Sequence, residues 1–137
     1  MIGLNNAQSE FSDEYLQDVS MRYPWVIGTS LYGEKHYNWY SNMPIGWALA
    51  FGEQFLSDMD SAIKTLSQEE QGSFAILQIK EKFGILRVYV NFRNKNIQNV
   101  LDTYEDISEK TCIRCGSSAT HTTTCGWIIP LCDNCDK

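Results

Sequence analysis

Phe74-Ala-Ile-Leu-Gln-Ile-Lys-Glu-Lys-Phe-Gly-Ile-Leu-Arg-Val-Tyr-Val-Asn-Phe92 decides the fold class. Leu77 and Ile79 alternate with Gln78 and Lys80, and then Leu86, Val88, Val90 and Phe92 alternate with Arg87, Tyr89 and Asn91. A two-residue period with one apolar and one polar face marks an antiparallel pair covered on one side. Glu81-Lys82-Phe83-Gly84 reads as the connection, with Gly84 free to take a positive φ. Lys80, Arg87 and Tyr89 then share the open face, which a solvated sheet surface explains without a binding role.

Helices flank this hairpin. Upstream, Trp47, Phe51, Phe55, Met59, Ile63 and Leu66 recur every three or four residues. They predict one long helix from about Pro44 or Gly46 to Leu66. Gly52 inside it costs about 1 kcal/mol against alanine and hints at close packing there. Gln68 to Ser73 reads as a polar turn. Downstream, residues 94–109 predict a second helix with Ile97, Val100, Leu101, Tyr104 and Ile107 inward. Near the N-terminus, residues 9–22 predict a third, with Ser9 or Ser12 as cap and Phe11, Tyr15, Val19 and Arg22 near one stripe. Glu10, Asp13 and Glu14 are there ordinary helix-start acids. Residues 23–44 show no clear period. A strand at 24–31 is one reading, with Tyr32, Tyr37, Trp39 and Tyr40 packing onto the core rather than serving as binding anchors. Helices on a small antiparallel hairpin make the class α+β.

Near its end the chain carries Cys112-Ile-Arg-Cys115-Gly116 and, with sixteen residues between Cys115 and Cys132, Cys132-Asp-Asn-Cys135. Two C-x-x-C pairs at that separation read as a four-thiolate zinc site, with ligands Cys112, Cys115, Cys132 and Cys135. The Thr-rich and Ile-rich segments between them favour two short strands, so 111–137 reads as a zinc ribbon docked on an α+β core spanning 1–110. The preceding helix is the expected dock. The ion is structural: four thiolates fill zinc's shell and leave no position for water. The fifth cysteine, Cys125, and His121 are a conceivable nucleophile and base. At spacing four on a strand they stand about 13 Å apart, too far for proton transfer.

Composition bounds the rest. The 137 residues suit one compact domain with a small appendage, and 43% hydrophobic with 20% charged residues describes a soluble chain. The formal net charge of −6 becomes −8 once four thiolates hold one Zn²⁺. That balance disfavours sequence-independent nucleic-acid binding and suits a cationic partner. No apolar run is long enough to span a bilayer, and no signal peptide is evident. Paired thiols in such a chain point to a reducing cytoplasm. On the second long helix, Asp102, Glu105, Asp106 and Glu109 share the outer face. Like charges there destabilise a helix by roughly 0.2–0.5 kcal/mol per pair. A cationic protein would offset that repulsion, making these four the candidate partner-binding residues.

From about Gly46 onward the chain resembles a group of small, largely uncharacterised proteins of phages, prophages and bacteria. The resemblance is carried by Gly46-Trp47, by Gln78-Ile79-Lys80-Glu81-Lys82-Phe83-Gly84 followed by Leu86-Arg87 and Tyr89, and by Ser108. It continues through Cys112-x-x-Cys115-Gly116, Gly126-Trp127-Ile128 and Leu131-Cys132-x-x-Cys135. It implies a phage or bacterial source and a metal at the four cysteines, with histidine often standing at the Cys135 position in relatives. It supplies no activity. Size, acidity and this company suggest a non-enzymatic inhibitor, either an immunity protein against a toxin or a phage antagonist of a host protein. The alternative is a zinc ribbon that binds nucleic acid or regulates. Lys80, Lys82, Arg87, Arg93 and Lys95, five of eleven basic residues, would supply its stripe.

Overall fold

The computed structural model describes residues 4–5, 10–28, 37–92, 94–122 and 128–135. In chain order the elements are β1 (Leu4–Asn5), β2 (Glu10–Phe11), α1 (Asp13–Arg22), β3 (Ile27–Gly28), β4 (Tyr37–Asn38), α2 (Ile45–Trp47), α3 (Glu53–Ile63), α4 (Gln68–Ser73), β5 (Ile76–Lys82), β6 (Ile85–Val90), α5 (Lys95–Glu109), β7 (His121–Thr122) and β8 (Pro130–Leu131). The strands pair antiparallel as β1–β2, β3–β4, β5–β6 and β7–β8. The architecture is α+β. α5 packs against both α3 and β6, and the core fills the space among them.

α1, α4 and α5 each start where a side chain satisfies a free backbone N–H group. The Ser12 hydroxyl accepts from the Tyr15 amide at the head of α1, and Asn94 accepts from Ile97 at the head of α5. Residues 68–73 are a short helix rather than a turn. Ser67 and Glu70 form a reciprocal capping box, which outweighs the segment's lack of apolar residues. Residues 24–31 are not a continuous strand either. Pro24–Val26 is a 3-10 turn, Ile27–Gly28 pairs with Tyr37–Asn38, and 29–31 lie outside the described residues. Tyr40 is fully buried and Trp39 packs against the core. Tyr32 and the side chain of Tyr37 lie outside the described residues.

The long apolar helix is present but is not α-helical throughout. Between α2 and α3, Ala48–Gly52 winds as a π-helix. The spacing explains why. Trp47, Phe51, Phe55, Met59 and Ile63 stand four apart in the sequence, and at 3.6 residues per turn each such step drifts about 40°.

 A wider π turn takes back part of that drift, so all five side chains stay buried. Gly52 closes the π segment against Tyr40, where an added Cβ would overlap the tyrosine hydroxyl.

The hairpin register pairs Ile79↔Val88 and Lys80↔Arg87 as the alternation predicts. It continues through Glu81↔Leu86 and Lys82↔Ile85, so Glu81 and Lys82 belong to β5 and not to the expected four-residue connection; an irregularity lies between Ile76 and Gln78. That bulge turns Ile76 inward and leaves Leu77 54% exposed, so Leu77 is not a core residue. The connection is two residues, Phe83 (φ 54°) and Gly84 (φ 81°). Two positive φ values suit the right-handed twist of a tight hairpin, but a phenylalanine there is strained by roughly 1–2 kcal/mol. On α5 the buried stripe ends at Ser108, not at Ile107, which is 38% exposed. The Ser108 hydroxyl accepts from the Leu86 amide (2.9 Å) and donates to the Glu105 carbonyl (2.7 Å), tying the helix to β6. Among the described residues, no helix is long and apolar enough to cross a membrane.

Candidate metal centre

The first cysteine pair sits on a tight backbone turn that follows α5. The Cys112 amide donates to the Ser117 carbonyl (2.7 Å) and the Gly116 amide to the Cys112 carbonyl (3.0 Å). Gly116 takes φ 85°, the region glycine enters without a Cβ penalty. The second pair follows β8. The two turns are knitted together by amides of Ile113 and Thr120, which donate to the carbonyls of Pro130 and Leu131 (both 3.0 Å). The Arg114 guanidinium adds a bond to the Cys135 carbonyl (3.2 Å).

This weave gathers Cys112, Cys115, Cys132 and Cys135 so that their sulfurs all lie within 4.8 Å of one another. The Cys115 and Cys132 sulfurs are 3.6 Å apart. Four thiolates around a zinc ion, with Zn–S bonds of about 2.3 Å, stand about 3.8 Å apart at the corners of a tetrahedron. The cluster therefore has the donor set and spacing of a four-thiolate metal site. Cys112 is fully buried and Cys115 exposed, so the site lies at the surface with one side against protein.

The thiols perturb one another in opposite directions. A hydrogen bond from Ser117 and the backbone at Cys135 bring the Cys132 thiol down to about 6. For Cys112, burial acts upward but is outweighed by backbone donors at Cys132, Cys115 and Arg114, and its value falls. Cys135 is pushed up to about 12, chiefly by its hydrogen bonds with Cys132 and Cys115. A bound divalent ion deprotonates its thiol ligands outright.

Three contacts seat the cluster on the start of the long helix. The Gly46 amide donates to the Ile113 carbonyl (2.9 Å), and the Trp47 indole N–H donates to the Thr111 carbonyl (3.0 Å). A Cβ on Gly116 would come within 2.6 Å of the Gly46 carbonyl. α2 has no side-chain cap, so the first cysteine turn supplies a partner for one of its free amides. Ile113 packs against both the main core and the small cluster around Cys112, Leu131 and Cys132. Spacing alone did not single out Gly46, Trp47 or Ile113 for this seat. Two backbones meeting this closely leave only their glycines as a trace.

No family model, curated protein or solved structure matches this chain. The resemblance in the hairpin and the cysteine segment therefore rests on its motifs alone.

The other candidate residues fall elsewhere. Asp102, Asp106 and Glu109 are exposed on α5, and Asp102 accepts from Gln98 (2.6 Å). Glu105 is half-buried and already paired with Arg87 at 3.1 Å. Arg87 is thereby drawn from the basic stripe. Lys80 and Lys82 lie over the rings of Tyr89 and Phe83, both at 5.9 Å, and Arg93 lies outside the described residues. Cys125 and the side chain of His121 also lie outside them. A further polar cluster joins α1 to α3: Arg22 forks onto Glu53 (2.8 and 3.0 Å), which also accepts from the Tyr15 hydroxyl. The Arg22 bonds hold the Glu53 carboxyl below its ordinary value, and burial with the Glu53 bond pushes Tyr15 up to about 12. A cavity of about 670 Å³ opens beside it, but Arg22, Glu53 and Tyr15 are engaged with one another, as a clasp between helices requires.

Proposed function

We propose that this chain is a non-enzymatic, zinc-stabilised inhibitor that binds a protein with a basic surface, either a bacterial toxin or a host defence protein. The observation that carries this reading is the outer face of α5. Asp102, Asp106 and Glu109 are exposed there, and among the described residues no cation pairs with Asp106 or Glu109. An acidic ridge of this kind steers a cationic partner and speeds association. Zinc is the ion the four cysteines suit best, and its role is structural because a closed shell of thiolates offers no site to substrate. A reducing cytoplasm would keep those thiols available. The resemblance to phage and bacterial proteins supports the same kind of partner.

The test is a panel of purified bacterial nuclease toxins with basic surfaces, each titrated with this protein at two salt concentrations. Inhibition of a member should weaken with salt. Reversing Asp106 and Glu109 to Lys should slow association and flatten its salt dependence, with the fold intact. Glu105 is left alone because its pairing with Arg87 is internal. No inhibition across the panel, or inhibition indifferent to the reversal, would overturn the reading. The alternative, nucleic-acid binding by a zinc ribbon, draws on Lys80, Lys82 and Arg87 on the open sheet face. A tight, salt-sensitive gel shift with duplex DNA or structured RNA would favour it instead.

A further inference from the structure

We propose that the tip of the β5–β6 hairpin is a second docking surface, taking an acidic peptide segment of a partner protein whose apolar side chain enters the groove between Phe83 and Tyr89. Phe83 is the first observation. It is 68% exposed and holds φ 54°, so the chain both strains a large apolar residue and leaves it in water. Asparagine or glycine would suit that turn position better. Strain kept at an exposed aromatic points to a use for the ring. The turn is also held: the Glu81 carboxylate accepts from the Gly84 amide at 2.7 Å. Phe83 is thus presented on a braced turn rather than a loose loop.

The groove and its charge identify the occupant. A cavity of about 350 Å³ beside the turn is lined by Lys82, Phe83, Arg87, Val88, Tyr89 and Glu105. That is room for one apolar side chain between two aromatic rings. Lys80 and Arg87 are register partners on the same open face, and Lys82 stands at its end. Glu105 engages Arg87, and the Lys80 and Lys82 ammoniums, over the Tyr89 and Phe83 rings at 5.9 Å, are the cations left to meet carboxylates beside those rings. Lys80, Lys82 and Arg87 against Glu81 and Glu105 leave this tip at +1 in a chain of net charge −6, a local reversal of sign complementary to an acidic segment. Ile128, 52% exposed, has its carbonyl close over Gly84 at the same turn. The proposal goes beyond the acidic α5 face and does not depend on it: the groove takes only Glu105 from α5, and the acidic face is Asp102, Asp106 and Glu109.

The experiment pans a displayed library of random peptides on the zinc-loaded full chain. Selected peptides are then synthesised and titrated into ¹⁵N-labelled protein. The expected winners carry an aromatic or aliphatic residue flanked by Asp or Glu, and shift the amides of Lys82 to Tyr89 and Ile128 saturably. Phe83→Asn and Lys82→Glu should each weaken them at least tenfold. Phe83→Asn should also leave the thermal midpoint unchanged or raised, which separates loss of the anchor from loss of fold. Failure to select such peptides, selection of basic ones, shifts confined to other surfaces, or full affinity in Phe83→Asn would each overturn the proposal. So would an oligothymidylate that moves the same amides and displaces the peptide at lower concentration. None of these outcomes bears on the Asp106 and Glu109 reversal, so the two proposals fail separately.

Discussion

Substituting Gly46 by Ala tests how the cysteine cluster is seated. In a helix this change ordinarily stabilises by about 1 kcal/mol. Here the new Cβ would overlap the carbonyl of Cys112 and the carbonyl carbon and oxygen of Ile113. These are backbone atoms of the first cysteine turn, so no flexible side chain can swing aside. Overpacking of this kind costs typically 1–3 kcal/mol, and the upper end applies where backbone must move. Displacing the turn also weakens the bond from the Gly46 amide to Ile113, worth about 1 kcal/mol. The net expectation is a loss of roughly 2–3 kcal/mol, or about 10 °C in melting temperature for a chain of this size. The internal control is Gly72→Ala in α4, where an added Cβ meets nothing within 4 Å. It should gain about 0.5–1 kcal/mol. Both variants would be melted with zinc supplied, and zinc affinity measured by competition with a chromophoric chelator. Gly46→Ala should melt low and bind zinc more weakly. If it melts with Gly72→Ala, above the parent, and holds zinc unchanged, the seat has been misread.

Three further outcomes follow from the same contacts. Ser108→Ala leaves the Leu86 amide without its partner in a buried site and should cost about 1–3 kcal/mol, with faster hydrogen exchange at Leu86. Because Glu53 is held below its ordinary 4.5, its contribution is present above that value and is lost as pH falls through the lower folded value; Glu53→Gln should therefore flatten the acid limb of a stability–pH curve, and an unchanged limb would remove Glu53 from the clasp. Elemental analysis of protein purified without chelator should find one zinc per chain, and Cys132→Ser should lower hydrogen-exchange protection across 111–135 while β5, β6, α3 and α5 keep theirs. Collapse of all four elements would show that the cysteine segment is not separable from the core.

What the sequence made legible were patterns enforced over short distances. The cysteine spacing needed no tertiary information, because each pair must present two sulfurs to one point. The hairpin register followed from alternation between Ile79 and Val90. It failed at Leu77 because Ile76 and Leu77 are both apolar, so polarity alone cannot say which faces inward. Ile107 was placed in the core by its hydrophobicity, yet Ser108 follows Leu101 and Tyr104 at helical spacing and takes the buried position. The Ser67-x-x-Glu70 capping box was present to be read, but the polar run around it suggested a turn. Residues 23–44 offered no period because their described parts are 3-10 turns and two-residue strands.

The long helix shows how these levels depend on one another. A four-residue apolar repeat drifts about 40° per step on a regular α-helix, and the π segment at Ala48–Gly52 offsets part of that drift. That segment lies close to the helix start, where only three residues, Ile45–Trp47, are α-helical before it. So short an end, with no side-chain cap, is weakly held by its own hydrogen bonds. The cysteine turn supplies what it lacks: a carbonyl for the Gly46 amide, another for the Trp47 indole, and Ile113 against the core. Metal binding would fix that turn, and the turn fixes the end of the helix that carries Trp47, a fully buried side chain of the core. Loss of the ion should then be felt first at Ile45–Trp47 and only afterwards at α3, which α5 holds independently through Tyr104 and Asp58.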